Sequence, residues 1–424
     1  MIKARHCILR LSVADQGRLK TVQQEAARCW NDILVIAKAH YDAGNGWISK
    51  GDLQKSLKKG YRLHSQTIQA LTDRFCANRL TAAENRRQGL NTRYPWREKK
   101  FVTIPFKQMA IKRSGGGSLV LSLSAGDRID TGLIISEEIN TCEILWRKGR
   151  YILSYTSEFS DAEPVPGIRA GIDIGEIHPV AVVAEDGTGL VVSGREIRAV
   201  KQQRNKSLGW FSRALSRCTK GSRRWKKLIR AKGSLKGKTD NQVRDLLHKA
   251  TRKAINWCLF NGIGELVIGN PAGVEKNTKK KKRLGRKSRQ KVSQMETGRI
   301  KQYLRYKAKE SGIASCFVGE RGTSSTCPVC GHVHKPKGRT FRCSRCGFTA
   351  HRDGKAGFMM LWKKHPTIPL PESFKIQHVQ SFPKYRKRFA VHMRSAGPAC
   401  VDGPDVVLSS LAIADSLLCE RLAA

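Results

Sequence analysis

Two aspartates occupy positions where a carboxylate is unexpected. Asp173 lies between two isoleucines in the strand-like segment Ala170-Gly-Ile-Asp-Ile-Gly. A charged group there costs free energy unless a cation or hydrogen-bond donors meet it. Asp353 lies in His351-Arg-Asp-Gly-Lys, where a helical apolar spacing begins. Taken singly, Asp353 would be a helix N-cap and Asp173 a structural acid, whereas together they are candidates for holding a catalytic cation.

Four cysteines have the spacing of a zinc site. Cys327 and Cys330 form one C-x2-C pair, Cys343 and Cys346 form another after twelve intervening residues, and a glycine follows each pair. Four thiolates at tight turns can complete a tetrahedron around one Zn²⁺ ion. A closed tetrahedron has no open position for water, so we expect this zinc to be structural. The nearby histidines are not expected to be ligands: His332, His334 and His351.

The composition points to a polyanionic partner. The 424 residues include 80 lysines and arginines against 34 aspartates and glutamates, a formal net charge of +46. Such a chain repels itself unless phosphates neutralise it, which excludes most small-molecule enzymes. No apolar run reaches membrane-spanning length and no signal peptide is recognisable. We therefore expect a cytoplasmic protein without a membrane partner, whose other cysteines are thiols.

The first half of the chain predicts a β domain with a helical insertion. Residues 1–12 and 93–160 have the alternating pattern of short strands, with a hairpin turn near Gly149, and their spacing suggests a small barrel. Residues 13–92 have helical spacing, with Ser65 as a plausible N-cap. Residues 161–167 contain two prolines and a glycine, which is typical of a linker.

The second half predicts a mixed α/β core. Strand, strand, helix and strand follow one another within 168–322, and the core continues in 347–366 after the cysteine segment 323–346. The helix in this order is expected over residues 240–261. The basic run 279–291 is expected to be a solvated loop that also contacts phosphates. The tail, 367–424, is expected to be largely disordered, with a short amphipathic helix possible near its end.

The order of these motifs resembles the transposon-associated TnpB (OrfB) family and the related compact type V CRISPR effectors. The resemblance covers roughly residues 168–363. It is carried by Gly171-Ile-Asp-Ile-Gly, by Thr326-Cys-Pro-Val-Cys-Gly with Arg342-Cys-Ser-Arg-Cys-Gly, and by His351-Arg-Asp-Gly-Lys-Ala. It implies a multidomain α/β protein: an N-terminal wedge-like β-barrel with a helical recognition insert, then an RNase H-like RuvC nuclease core with an inserted four-cysteine zinc ribbon.

The resemblance also implies a reaction and its partners. In this family three carboxylates bind two Mg²⁺ ions, which suits phosphodiester hydrolysis because one ion activates water and the other stabilises the leaving oxygen. Asp173 matches the first carboxylate and Asp353 the third. The implied partners are a guide RNA and a double-stranded DNA target with a short adjacent motif. One protein chain is expected per RNA, acting at the nucleoid of a prokaryote.

The second carboxylate departs from the family pattern. Its usual position, at the end of the strand Leu266-Val-Ile-Gly, is Asn270, so the site is either inactive or completed by another acid. The predicted replacement is Glu296, which shares a helical face with the apolar residues four, seven and eight positions later. The alternative for Glu296 is a capping box with Ser293, and Glu275 is the less favoured replacement.

Two clusters combine cations with aromatic side chains, as nucleic-acid surfaces do. The first has the density of a basic helix and matches the bridging helix beside the guide–target heteroduplex: Arg223, Arg224, Trp225, Lys226, Lys227 and Arg230. The second is the candidate contact with the short DNA motif: Tyr94, Trp96, Arg97 and Lys100. For the aromatic residues the alternative is ordinary packing in a core.

Three hypotheses follow from these features. The first is a Mg²⁺-dependent RNA-guided DNA endonuclease that uses Asp173, Glu296 and Asp353; a CRISPR effector is its close variant. The second, motivated by Asn270, is a nuclease-inactive RNA-guided DNA-binding protein that acts as a repressor or targeting subunit. The third is a zinc-ribbon RNA-binding protein of ribosomal type, which leaves Asp173 unexplained.

Overall fold

The apolar residues form separate cores in the two halves of the chain. One cluster of buried side chains lies within residues 9–155, and two more lie on a sheet within residues 168–379. A computed structural model describes residues 2–58, 60–89, 91–147, 149–271, 273–275, 285–334 and 338–381. In these ranges no helix is long and apolar enough to cross a bilayer.

The described residues of the N-terminal half form three α-helices and seven strands. The helices are α1 (Val13–His40), α2 (Lys50–Ser56) and α3 (Ser65–Arg87). The strands are β1 (Ile2–Ile8), β2 (Ile104–Lys107), β3 (Ile111–Arg113), β4 (Ser118–Ser122), β5 (Arg128–Ile134), β6 (Thr141–Arg147) and β7 (Arg150–Glu158). The cap of α3 is His64 and not Ser65, because His64 Nδ1 accepts from the backbone N–H of Gln66.

The expected N-terminal barrel is wrong for the part of the chain that the structure describes. Its strands form two separate antiparallel sheets, one of four strands in the order β1-β7-β6-β2 and one of three in the order β3-β4-β5. A 3-10 turn at Gln108–Ala110 ends β2 and sends the chain into the second sheet. Because β1 and β2 remain edge strands of the first sheet, no strand pair closes it. Helix α3 packs beside β2.

The C-terminal half is built on a six-stranded sheet. Its order is β12-β11-β8-β9-β10-β15. The strands are β8 (Ile168–Asp173), β9 (Val180–Ala184), β10 (Thr188–Ser193), β11 (Ile263–Asn270), β12 (Ala314–Gly319) and β15 (Lys375–Gln380). β8, β11 and β12 are parallel neighbours, while β9 is antiparallel to β8 and β10. The predicted mixed α/β sheet is therefore confirmed.

Helices cover both faces of this sheet. The helices of this half are α4 (Arg195–Ser216), α5 (Arg223–Phe260), α6 (Arg286–Ser293), α7 (Thr297–Glu310) and α8 (Arg352–Lys364), and α6 buries no residue on the sheet. α5 and α7 share one apolar cluster with the sheet, and α8 forms another cluster on the opposite face. A hairpin of β13 (Thr340–Arg342) and β14 (Thr349–His351) precedes α8.

Helix α8 approaches β8 at backbone distance. A Cβ atom on Gly171 would lie 2.0 Å from the carbonyl oxygen of Gly357, so only glycine permits this contact. Asp173 ends β8, and Asp353 lies in the first turn of α8. The close β8–α8 contact therefore brings the two aspartates of the sequence motifs to one place.

Three elements differ from the sequence expectations. The basic run 279–291 was expected to be a loop, but residues 286–291 of it belong to helix α6. The helix expected over 240–261 is the second part of α5, which starts at Arg223 because Ser222 caps it by accepting from the Trp225 N–H. Strand β15 lies within the tail expected to be disordered, and it pairs in parallel with β10. The rest of that tail, 382–424, and residues 279–284 of the basic run lie outside the described residues.

Candidate active site

Three parallel strands bring their carboxyl ends to one edge of the sheet. Asp173 is the last residue of β8, Asn270 is the last of β11, and Glu320 directly follows β12. The register pairs Ile172 with Ile268, and Asn270 with Gly319. Side chains at the carboxyl ends of neighbouring parallel strands project into a common crevice, the usual place for a ligand in an α/β sheet.

Asp173 is held in surroundings that disfavour its charge. Burial and the neighbouring Asp353 carboxylate raise the pKa of Asp173 to about 7, against the attraction of Arg352. Two carboxylates in one crevice cannot both ionise cheaply without a cation. A divalent ion with oxygen ligands would remove this repulsion.

Asp353 is buried, but it has cationic partners. Burial alone would raise its pKa, yet the His178 hydrogen bond and the Arg339 charge outweigh burial, so the pKa of Asp353 is lowered. His178 Nδ1 lies 2.5 Å from Asp353 Oδ2, and Arg339 Nη1 donates to the same oxygen at 2.9 Å. Asp353 is therefore the ionised member of the pair at neutral pH.

Glu320 is a third acid at this edge, and the sequence reasoning missed it. Burial and the Asp173 charge raise the pKa of Glu320 to about 8. Its Oε1 atom is buried without a hydrogen-bond partner. Lys363 Nζ donates to the carbonyl oxygens on both sides of it, 2.8 Å from Gly319 and 2.6 Å from Arg321. Helix α8 thus fixes the backbone that carries Glu320.

Gly269 gives the Glu320 side chain room to lie across β11. A Cβ atom on Gly269 would be 2.6 Å from Glu320 Oε1 and 2.9 Å from its Cγ. Gly269 pairs with Val318 of β12. Any side chain at position 269 would therefore compete with the Glu320 carboxyl group for the same space.

Asn270 and Glu296 have other partners. Asn270 Oδ1 accepts from Lys301 Nζ at 2.6 Å. Glu296 immediately precedes α7 and pairs with Lys201, whose Nζ lies 3.5 Å from its Oε1, and with Arg299. The capping box is not formed, because Ser293 ends α6 and its hydroxyl donates to the carbonyl of Gln290. The structure thus gives Glu296 cationic neighbours, whereas Glu320 feels the charge of Asp173.

The donor set at this edge fits a divalent cation. Asp173, Glu320 and Asp353 offer carboxylate oxygens, and Glu320 Oε1 is an orphaned acceptor. Among the described residues these oxygens do not all lie within 4.8 Å of one another. Glu275, the less favoured replacement, lies in the loop after β11 with its Oε2 buried and unpartnered.

The four cysteines are assembled as the sequence predicted. Their sulfur atoms all lie within 4.8 Å of one another, with Cys327–Cys346 at 3.6 Å and Cys330–Cys343 at 3.5 Å. Backbone N–H groups at Cys346 and Arg345 lower the pKa of the Cys343 thiol. Sulfur atoms at these separations fit the tetrahedral shell of one zinc ion.

A cationic cavity adjoins Asp353. It has a volume of about 600 Å³. Its wall includes Ile177 and the following basic residues: His178, Arg195, Arg198, Arg339, His351 and His378. Helix α4 begins at this wall, where the Arg195 N–H donates to Ser193 Oγ, and the positive end of the helix dipole adds to the field. The cavity suits a phosphate group beside the acidic edge.

The predicted nucleic-acid residues divide into exposed cations and packed aromatics. On α5, Trp225 is half-buried while its basic neighbours are largely exposed: Arg223, Arg224, Lys226, Lys227 and Arg230. Trp96 stacks on Trp47 at 5.4 Å, and Tyr94 meets Trp47 at 5.0 Å, so both rings have protein partners. The side chains of Arg97 and Lys100 are exposed.

Comparison with known proteins gives a consistent result. Residues 152–275 match the OrfB_IS605 family, described as a probable transposase, and residues 298–359 match the Cas12f1-like TNB domain. A TnpB-like protein of Methanocaldococcus jannaschii is 26% identical over 128 residues, which are 30% of this chain and 45% of that protein. This chain therefore spans less than half of the relative's length.

The fold is similar to that of a solved effector. The protein chain of a Cas12f1–sgRNA–target DNA complex superposes with a TM-score of 0.58 at 13% identity, covering 82% of this chain and 83% of that one. The fold and the site define a class of protein. Its members have a mixed α/β core with acids at the strand ends and an inserted tetracysteine motif. Over the matched segments the chain is similar to TnpB-like proteins and to compact type V effectors, as its motifs predicted.

Proposed function

We propose that this protein is an RNA-guided DNA endonuclease of transposon origin, whose carboxylates Asp173, Glu320 and Asp353 hold the catalytic cations. The observation that carries the proposal is the acidic edge of the sheet, where the pKa values of Asp173 and Glu320 are raised to about 7 and about 8. Perturbed acids in a crevice are a mark of functional sites. The matches to OrfB_IS605 and to TnpB-like proteins support the same activity.

The chain's own residues position the acids for this chemistry. Two Mg²⁺ ions, when bound, would supply an activated water and a stabilised leaving oxygen. His178 and Arg339 orient Asp353 through its Oδ2 atom. Lys363 holds the backbone of Glu320. The cavity beside Asp353 would bind a phosphate of the strand to be cut, so that the next phosphodiester faces the acids.

The remaining basic surface fits a guide RNA and its DNA target. The net charge of +46 needs a long polyanion. The exposed cations of α5 lie on one helix, as expected for contact with a heteroduplex backbone, which is recognised by shape while base pairing recognises sequence. Arg97 and Lys100 are the proposed contacts with the short adjacent motif. In this proposal one chain serves each RNA, in the cytoplasm of a prokaryote, and the zinc is structural.

A nuclease-inactive, RNA-guided DNA-binding protein is the second candidate. The contact between Asn270 and Lys301 favours it, because the usual acid position is neutral and already hydrogen-bonded. Tight, guide-dependent target binding without any Mg²⁺-dependent product would support this candidate and reject the first.

The direct test is cleavage by the purified complex. The chain is coexpressed with RNA from the flanking end of its element and mixed with plasmids that carry the matching target beside randomised sequence. We expect Mg²⁺-dependent linear product from the matching plasmid, with none when Mg²⁺ is left out or when the guide is mismatched. Product that is independent of the guide would contradict the proposal.

The space over β11 gives a second prediction. Alanine at Gly269 puts a Cβ atom 2.6 Å from Glu320 Oε1, so the carboxyl group must move. We expect Gly269→Ala to slow single-turnover cleavage by about 10-fold or more, as loss of a positioning contact at a metal site does.

Gly319→Ala is the matched control for this prediction. Gly319 ends the neighbouring strand and has nothing within 4 Å of an added Cβ atom. We expect the control to cleave within about twofold of the wild type, by the tolerance of open surface sites. Equal rates for Gly269→Ala and the wild type would reject the placement of Glu320 in the site.

A further inference from the structure

Lys355 is a fully buried lysine between the tetracysteine motif and the acidic edge. Its relative exposure is 0%, although lysine is among the residues least often buried without a partner. It lies two positions after Asp353 in the first turn of α8. The acidic edge and the packing of α8 on the sheet do not by themselves account for an ammonium group in this place.

The polar partners of the Lys355 ammonium come from the cysteine segment. Its Nζ atom donates to the carbonyl oxygen of Thr326 at 2.7 Å, and Thr326 directly precedes Cys327. The same atom lies 3.8 Å from the ring centroid of Phe341, two residues before Cys343. Phe341 is itself buried in a small core with Cys327 and Cys343. One side chain of α8 thus reaches both halves of the tetracysteine motif.

The charges on both sides of Lys355 are complementary to an ammonium. Four thiolates around one Zn²⁺ ion leave a net charge of −2, and the charges of Cys327 and Cys343 favour the Lys355 ammonium. The Asp173 carboxylate acts on the ammonium from the other side, and Arg352 opposes them. If the metal leaves, the cysteines take up protons, and the buried ammonium loses much of its compensating charge.

We propose that the Lys355 ammonium connects the zinc cluster electrostatically to the first turn of α8, so that the placement of Asp353 depends on zinc loading. Lys355 acts through Asp353 and is a positioning residue. The inference deepens the proposed function where cleavage is concerned, whereas its effect on zinc retention and on helix α8 does not depend on that function.

Zinc release from the full-length protein tests whether Lys355 stabilises the zinc cluster. Lys355→Met removes the charge and keeps the side-chain length, and Lys355→Arg keeps the charge. The control, Lys364→Met, lies on the same helix, where its ammonium pairs with Glu265 at the surface. With 4-(2-pyridylazo)resorcinol as the acceptor, we expect Lys355→Met to release zinc about 10-fold faster than the wild type. Arginine should recover part of the retention, and the control should match the wild type.

Hydrogen exchange tests whether helix α8 depends on zinc, and its first comparison uses the wild type alone. Removing zinc from the wild type with a chelator should increase amide exchange in residues 353–357, while the far end of α5 stays protected. In Lys355→Met these amides should exchange fast with or without zinc. Unchanged exchange on zinc removal, or wild-type zinc retention by Lys355→Met, overturns the proposal even if a variant folds poorly.

Cleavage then separates positioning from simple folding. With saturating zinc and prebound target, we expect Lys355→Met to bind target as the wild type does and to cut about 10-fold more slowly. Wild-type cutting by the zinc-saturated variant would reject the positioning role. If the wild type does not cut at all, the proposed function fails. The zinc-release and exchange results still test whether Lys355 connects the zinc cluster to helix α8.

Discussion

Replacing Glu320 by glutamine should lower the single-turnover rate of target cleavage by more than about 100-fold, because a neutral amide is a poorer ligand for Mg²⁺ than a carboxylate. Glu320 follows β12 at the edge where β8 ends in Asp173. The same substitution at Glu296 should leave the rate within about threefold, since that side chain is paired with Lys201 and Arg299.

The pair of glutamine variants decides between two assignments of the second carboxylate. Both substitutions keep size and remove charge, so guide-dependent target binding should be unchanged in each and serves as the control. Full activity of Glu320→Gln together with loss of cleavage in Glu296→Gln would assign the second carboxylate to Glu296, the acid favoured by the sequence pattern. A double change, Glu320→Gln with Asn270→Asp, should regain part of the rate, because position 270 lies at the same strand edge.

Asp173, Asp353 and the cysteines could be predicted because each signal is local. An acid in an apolar strand, an acid at a helix start and two C-x2-C pairs are all visible within a few residues. The strand at the apolar run Val180–Ala184 was equally visible, and the structure shows all five of its residues buried.

The position of Glu320 beside Asp173 could not be predicted in the same way because it depends on strand register. β12 is an edge strand with a mostly exposed and half-buried pattern, so its sequence has no strong periodicity. The space that its acid occupies is created by Gly269, more than forty residues earlier in the chain. The available signal was the pair Gly319-Glu320 after an apolar segment, which marks a strand end.

The N-terminal barrel failed for a related reason. Alternation along residues 93–160 identifies strands, but it does not say which strands pair. The 3-10 turn between β2 and β3 moves the chain from one sheet to another, and nothing in its three residues, Gln-Met-Ala, signals that change. Closure is a property of strand pairing and has no local sequence mark.

Asp173→Asn should abolish cleavage and, at the same time, stabilise the metal-free protein. The pKa of Asp173 is raised to about 7, so the folded state holds its proton more tightly than the unfolded chain, where an aspartate titrates near 4. A raised carboxyl pKa means that the free energy of unfolding falls as pH rises from about 4 to about 7. The pKa of Glu320, raised to about 8, adds to the same fall in stability with pH.

Thermal denaturation at a series of pH values measures this effect. In buffer without Mg²⁺ or chelator, so that zinc stays bound, the wild type should become less stable between pH 5 and pH 8, and Asp173→Asn should lose less over the same interval. At pH 8 we expect the variant to be more stable by about 1–3 kcal/mol, since an amide needs no ionisation in the crevice. The lowered pKa of Asp353 acts in the opposite sense, but only below about pH 4.

Added Mg²⁺ should reverse the order of stability. A cation that binds the carboxylates of the folded state stabilises the wild type by mass action. In Asp173→Asn the cation has one carboxylate ligand fewer. We therefore expect Mg²⁺ to raise the wild-type denaturation temperature more than that of the variant, and most strongly at pH 8. A variant that is less stable than the wild type in the Mg²⁺-free buffer would show that the acids are satisfied without a cation. Asp173 thus lowers the stability of the metal-free protein and raises that of the metal-bound protein, which connects the stability of this edge to cation binding.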